Sequence, residues 1–262
     1  MKKYIIILFS IISVNLAAQQ QLVMPFAGKS FTTDQFGNYY EISDVEIKKY
    51  SNKGKLQYTY SNNLLGEITS IDVFNPMKIL VYFKEFTKIV TLDNTLSPTS
   101  SIIDLTTLDI DETSLVCRSY NDGIWYYNPI RFELIRKNNE LVTTNKSVQL
   151  ANLLNKNIQP NFIVEYNNQV YLNDPKVGVL VFDNFGTYIK TLPIFGLTNF
   201  QVKEKYLLFV NEKNEIMTYD FFTLDISKYG KTNLEEILAV RIEQNFIFKL
   251  FKNKELIISR IN

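Results

Sequence analysis

The feature that most constrains this chain is the punctuation of its β-rich runs. From Phe31 onward a short run of β-branched and aromatic residues ends in a polar turn. A second run of five or six residues ends in another, and a third run follows. First turns fall at Phe36-Gly37-Asn38, Asn75-Pro76, Asn121-Asp122-Gly123, Asn167-Asn168, Lys203-Glu204-Lys205 and Gln244-Asn245. Their centres recur about every 36 to 46 residues, the period of one four-stranded repeat unit. Second turns follow at Asp44-Val45-Glu46, Lys84-Glu85, Asn128-Pro129, Asp174-Pro175, Glu212-Lys213 and Asn253, one strand and one tight turn later. Third turns lie at Asn52-Lys53-Gly54, Asp93-Asn94, Asn138-Asn139, Asp183-Asn184-Phe185-Gly186 and Asp220-Phe221-Phe222. Asn, Asp and Gly gather there because such turns need positive or near-positive φ.

Between the turns, stretches such as Ile79-Leu80-Val81-Tyr82-Phe83, Ile124-Trp125-Tyr126-Tyr127 and Phe246-Ile247-Phe248 are apolar on both faces. A strand of that kind is sandwiched between two other sheets. The spacing therefore predicts an all-β fold, a six-bladed β-propeller of four-stranded antiparallel blades occupying residues 19–262 as one domain. The last unit supplies only three runs, at residues 237–243, 246–251 and 255–261, and residues 22–26 stand unused ahead of the first. They supply the missing fourth strand and close the ring, which hides the edges that an open array exposes. The segment from Ser97 to Thr113 is long enough for an extra strand pair, which leaves five or seven blades as alternatives. Two inserted helices are expected. Residues 149–158 place Leu150, Leu153, Leu154 and Ile158 on one helical face ahead of Pro160, and Thr232-Asn233-Leu234-Glu235 reads as a capping box.

Composition removes several function classes. There is no His among 262 residues, so neither a Ser/His/Asp nor a Cys/His catalytic arrangement is available. The 28 basic against 27 acidic residues offer no general grip on nucleic acid. No phosphate-cradling glycine loop and no metal-ligand spacing is present, and no cofactor or metal is expected. The lone Cys117 has no partner for an internal disulfide and reads as a small buried residue. Asp109-Ile110-Asp111-Glu112-Thr113 is the densest acidic run, but it lacks the glycine of a Ca²⁺ loop and reads as a solvated link. Trp125-Tyr126-Tyr127 with Arg131 is either a ligand-binding shelf or packing between blades. Successive strand residues face opposite ways, which favours the packing.

Large apolar residues at turns carry more information. Phe86, Phe185, Phe195, Phe221 and Phe222 stand where polar residues are the norm, and burial of each against a partner contributes about 1.5–3 kcal/mol. They are the candidate partner-binding residues, with folding back over the blade ends as their alternative role. No catalytic residues are assigned, and the chain is expected not to be an enzyme.

Met1-Lys2-Lys3, an apolar run over residues 4–14 and the small residues Leu16-Ala17-Ala18 form a secretory signal peptide at 1–18. The run of about 11 residues falls short of the roughly 20 that span a bilayer, so no membrane insertion of the mature chain is expected. Cleavage after Ala18 removes Lys2 and Lys3 and leaves 26 basic against 27 acidic residues, close to neutral.

The leader ending in Leu16-Ala17-Ala18-Gln19, the Asn/Lys/Ile-rich composition and the stretch from Asp34-Gln35-Phe36-Gly37-Asn38 to Tyr50-Ser51-Asn52-Lys53-Gly54 resemble secreted β-propellers of Bacteroidetes bacteria. The similarity covers almost all of the mature chain, and its motifs are those of propellers in general. Within that group the chain looks most like the small periplasmic propeller that plugs the type IX secretion translocon. The resemblance implies a periplasmic location and a protein partner, an outer-membrane secretion channel whose periplasmic mouth the propeller plugs or gates. Cargo of that system carries a dedicated C-terminal sorting domain. This chain ends at Ile257-Ile258-Ser259-Arg260-Ile261-Asn262, within the expected last strand, as a periplasmic resident would. The alternative is a propeller that binds or hydrolyses sugars or cell-wall fragments, which requires carboxylates and aromatic rings converging on the central channel.

Overall fold

A computed structural model describes residues 21–108, 110, 115–230 and 235–261. The expected signal peptide, most of the acidic run at 109–113 and the expected capping box at 232–235 apart from Glu235 lie outside these residues. Among the described residues no helix is long and apolar enough to cross a membrane.

The chain begins with β1 (Gln21–Pro25) and then lays down sheets in sequence order. Blade 1 is β2 (Ser30–Thr33), β3 (Tyr39–Ile42), β4 (Glu46–Tyr50) and β5 (Leu56–Ser61). Blade 2 is β6 (Ser70–Asp72), β7 (Ile79–Phe83), β8 (Lys88–Leu92) and β9 (Ile103–Asp104). Blade 3 is β10 (Leu115–Arg118), β11 (Ile124–Asn128), β12 (Glu133–Lys137) and β13 (Thr143–Lys146). After α1 (Leu150–Leu154), blade 4 is β14 (Phe162–Tyr166), β15 (Gln169–Asp174), β16 (Gly178–Asp183) and β17 (Tyr188–Leu192). Blade 5 is β18 (Gln201–Lys203), β19 (Tyr206–Val210), β20 (Ile216–Asp220) and β21 (Ile226–Lys228). Blade 6 is β22 (Ile237–Glu243), β23 (Phe246–Phe251) and β24 (Glu255–Arg260). Its fourth strand is β1, antiparallel to β24 with Val23 opposite Ile257, as the unused run ahead of the first unit predicts.

Six four-stranded sheets therefore form a six-bladed propeller. First strands stand side by side around the axis, β2 against β22 and β10 against both β6 and β14. The apolar core is divided into six clusters, one in each seam between successive blades. Strand alternation feeds them. On β7, Ile79, Val81 and Phe83 face blade 1, while Leu80 and Tyr82 face blade 3. Trp125 and Tyr127 pack toward blade 4 and Tyr126 toward blade 2, all three buried, so that segment forms no ligand shelf. Cys117 is likewise buried within a seam.

The turns share one construction. At residues 34–38, 51–55, 93–97, 138–142, 183–187 and 211–215 the first residue exchanges two backbone hydrogen bonds, to the fourth and fifth residues. Its side-chain oxygen accepts the N–H of the fifth residue, and in five of the six also that of the third. The fourth residue lies in the left-handed region in each: Gly37, Gly54, Leu96, Leu141, Gly186 and Asn214. Asp, Asn or Ser is thus required first, and a residue tolerant of positive φ fourth. Elsewhere Gly178, at φ +112, begins β16 where a Cβ would sit 2.3 Å from the Leu192 carbonyl oxygen.

One expectation is corrected and one alternative removed. The helix at 149–158 is a single turn, Leu150–Leu154, closed by Asn155 in the left-handed conformation and not by Pro160. One turn cannot bury all four apolar residues; Leu150 and Ile158 are buried, Leu154 is partly so, and Leu153 is exposed. The stretch after β8 holds no extra strand pair among the described residues. The two-residue β9 and a 3₁₀ turn (Leu105–Leu108) follow instead.

Candidate functional site

A propeller blade alternates its turns between two faces. First and third turns open on one face, and second turns and inter-blade links on the other. The candidate phenylalanines divide accordingly. Phe185, Phe221 and Phe222 belong to third turns, whereas Phe86 lies in a second turn and Phe195 in the link between blades 4 and 5. The fold does not gather them into one site. Phe221 turns inward, its ring 5.7 Å from Tyr171 and 5.8 Å from Tyr219, and serves as a cap on the seam between blades 4 and 5. The other four are exposed.

The first-and-third-turn face carries two further exposed phenylalanines, Phe36 and Phe74, which reading by turn position alone passed over. A common device holds all four on this face. Asp34, Asp72, Asp183 and Asp220 each accept, through Oδ1, the N–H of the residue two positions on: Phe36 (3.0 Å), Phe74 (3.0 Å), Phe185 (2.9 Å) and Phe222 (2.8 Å). The signal was present as Asp-x-Phe, occurring at 34–36, 72–74, 183–185 and 220–222. The carboxylate stands in for a backbone acceptor and fixes the turn, so the next-but-one side chain projects from a rigid base.

Three of the four aspartates are anchored further, and Asp183 is held within its own turn by the Thr187 N–H. Asp34 also accepts from Tyr40 Oη at 2.9 Å and lies 3.8 Å from the buried Lys49 ammonium. Asp72 accepts the Arg118 N–H of blade 3 at 2.9 Å, and burial still raises its carboxyl above the usual range. Asp220 pairs with Lys205 at 3.2 Å, and the Phe222 N–H, foremost, holds its carboxyl below the usual range. Phe222 is 80% exposed and Phe185 63%, so most of each residue's surface is open to solvent. Leu224, Val142 and Met77 extend the apolar surface on this face.

Phe74 reaches Tyr166 at the end of β14, with ring centroids 6.0 Å apart and planes at 83°. This edge-to-face contact joins blade 2 to blade 4, which are not neighbours in the ring. Tyr166 Oη accepts the Glu204 N–H of blade 5 at 2.7 Å, which ties a third blade to the same point. The inner-strand carboxylates below are engaged. Glu165 accepts from Ser119 Oγ (2.6 Å), the Tyr120 N–H (3.0 Å) and Trp125 Nε1 (2.7 Å). Glu243 accepts from Gln201 Nε2 and Lys203 Nζ, each at 2.7 Å. Among the described residues no group of three metal-ligating side chains occurs.

On the opposite face Phe195 borders a cavity of about 210 Å³ with Phe200, Leu208, Val210, Ile237 and Leu238. Phe86 lies two blades away.

No family model matches this chain, and no curated protein matches it. Solved structures resemble it in fold. A catalytically inactive histidine-to-alanine form of virginiamycin B lyase from Staphylococcus aureus, with quinupristin, superposes with a TM-score of 0.62 at 11% identity, covering 93% of this chain and 100% of that one. The Pan2 WD40 domain of Neurospora crassa gives 0.57 at 10% identity, covering 86% and 73%. BBS1N, crystallised in complex with ARL6DN, gives 0.56 at 13% identity, covering 87% and 76%. The lyase overturns the expectation that the chain is not an enzyme. That exclusion rested on missing motifs, yet this fold supports catalysis, and what the absence of His removes is histidine chemistry alone. What these likenesses establish is the architecture: the chain is a β-propeller, a fold found both in enzymes and in complexes with other proteins.

Proposed function

We propose that this chain is a partner-docking propeller whose first-and-third-turn face receives another protein. The observation that carries the reading is the set of four Asp-x-Phe turns, on blades 1, 2, 4 and 5, that present phenylalanine to solvent from one side of the ring. Burial of each ring contributes about 1.5–3 kcal/mol. The aspartate anchors keep the ordering cost small, because the turns are already built before contact. Central aromatic anchors of this kind dominate protein interfaces.

The partner we assign is the periplasmic mouth of an outer-membrane channel of the type IX secretion system, which the propeller plugs or gates. The leader at 1–18 and the resemblance to the translocon plug of gliding flavobacteria support this. A chain of the mature length has a diameter of roughly 45 Å as a sphere, enough to cover a wide pore.

The test is affinity capture from detergent-solubilised outer membranes after mild crosslinking, with the tagged protein expressed in its own host. The wild-type protein is expected to bring down an outer-membrane channel. The combined variant Phe36→Ser, Phe74→Ser, Phe185→Ser, Phe222→Ser is expected to lose it while remaining folded, and Phe86→Ser with Phe195→Ser on the other face to keep it. Emergence of the wild-type protein alone refutes the assignment. Loss in the opposite-face variant, with retention in the first, moves the docking face.

A further inference from the structure

Blade 6 is where the ring closes, and its inner strand β22 carries a charge cluster of unusual balance. Glu243 lies between blades 5 and 1. Its Oε1 accepts from Gln201 Nε2 at 2.7 Å and Thr33 Oγ1 at 3.4 Å, and its Oε2 from Lys203 Nζ at 2.7 Å. Gln201 is also engaged, its Oε1 accepting the Ile242 N–H at 2.7 Å and its Nε2 donating to the Ile242 carbonyl at 3.1 Å. Lys203 Nζ donates again, to that same carbonyl, at 3.0 Å.

Arg241 stands two residues earlier on the same strand and therefore on the same side. It pairs with Phe248, whose ring belongs to the core between blades 6 and 1, alongside Phe31 and Tyr39. Only 8% of Arg241 is exposed, and its Nη1 is enclosed and meets no hydrogen-bond acceptor among the described residues. Glu243 is the charge that acts on it, and that carboxylate already serves three other donors. The cluster thus holds two cations and one anion, with a guanidinium donor unused at the inner end of a seam. A buried charged donor without an acceptor is costly. Burial lowers the guanidinium to about 10, which still leaves it charged at neutral pH.

We propose that the seam between blades 6 and 1 binds one small monovalent anion of halide size on Arg241. An anion there balances the second cation and accepts from Nη1. It also ties β22 to β2, where the first and last blades meet. One unbalanced positive charge and an enclosed donor select a small monovalent ion over a larger or doubly charged one.

The test uses sodium bromide as probe, with crystals grown in it and thermal melts of the full mature chain compared with sodium methanesulfonate at equal ionic strength. Anomalous density is expected at hydrogen-bonding distance from the Arg241 guanidinium. A bromide concentration ten times Kd should raise Tm by about 3–6 °C. Arg241→Gln should abolish that rise, and Arg131→Gln, at an exposed arginine, should preserve it. The crystal measurement stands by itself if the Arg241→Gln protein fails to fold. A water at Nη1 with no anomalous signal, or an equal bromide response in a folded Arg241→Gln protein, overturns the proposal.

Discussion

Glu165 offers a sharp test of how blades are held together, because one carboxylate of blade 4 serves three donors of blade 3. It accepts from Ser119 Oγ, the Tyr120 N–H and the indole of Trp125. Ser119 Oγ in turn accepts from Arg136 Nε at 2.8 Å, and Arg136 is itself buried, with Nη2 on the Tyr120 carbonyl at 2.7 Å. Glu165→Ala therefore strands three donors, one of them the Ser119 hydroxyl on which the buried Arg136 rests. At about 1–3 kcal/mol for each orphaned group, and with the Ser119 hydroxyl free to re-aim, the expected loss is about 3–5 kcal/mol. For a chain of this size that lowers Tm by about 6–20 °C. Glu165→Gln keeps one acceptor but sets an amide against a donor, and should lose about 1–2 kcal/mol. Urea unfolding followed by fluorescence measures both, since Trp125 is the chain's single tryptophan and sits at the contact. A Glu165→Ala protein within about 0.5 kcal/mol of wild type refutes the reasoning. Equal losses for the two variants would show that the carboxylate charge, which both remove, sets the penalty there and not the number of orphaned donors.

Ring closure and the buried thiol supply further tests. Replacing Leu22 and Met24, which β1 packs into the seam between blades 6 and 1, by Asp should detach β1 and expose the edge of β24. Concentration-dependent self-association in sedimentation velocity is expected, and a monomer as stable as wild type counts against closure by the N-terminal strand. Burial, foremost, pushes the Cys117 thiol well above its usual value. The native protein should therefore react with a disulfide reagent at pH 8 only on the timescale of unfolding, whereas an immediate stoichiometric reaction contradicts its placement.

Much of the architecture is legible in the turns. Asp34, Ser51, Asp93, Asn138, Asp183 and Asn211 each cap their own backbone within five residues, so the chain reverses there whatever surrounds it. The unused run at 22–26 is legible for the same reason, as a strand without a local mate. The candidate site is legible only in part. Asp183-Asn184-Phe185 and Asp220-Phe221-Phe222 stand out as apolar turns, but Phe36 and Phe74 emerge only once the aspartate hydrogen bonds are seen to repeat. Phe221 and Phe222 are adjacent in sequence, yet one ring caps a seam and the other is in solvent.

The division follows from range. Turn chemistry and strand alternation act over five residues or fewer, so the blade period, the four-stranded unit and the burial of Trp125 and Cys117 are written into local pattern. Which turns share a face, the meeting of Phe74 with Tyr166 between blades 2 and 4 and the isolation of Arg241 beside an occupied carboxylate depend on blades far apart in the chain. Those relations exist only after six seams have closed into a ring, because closure alone sets the distances between side chains that no local rule connects.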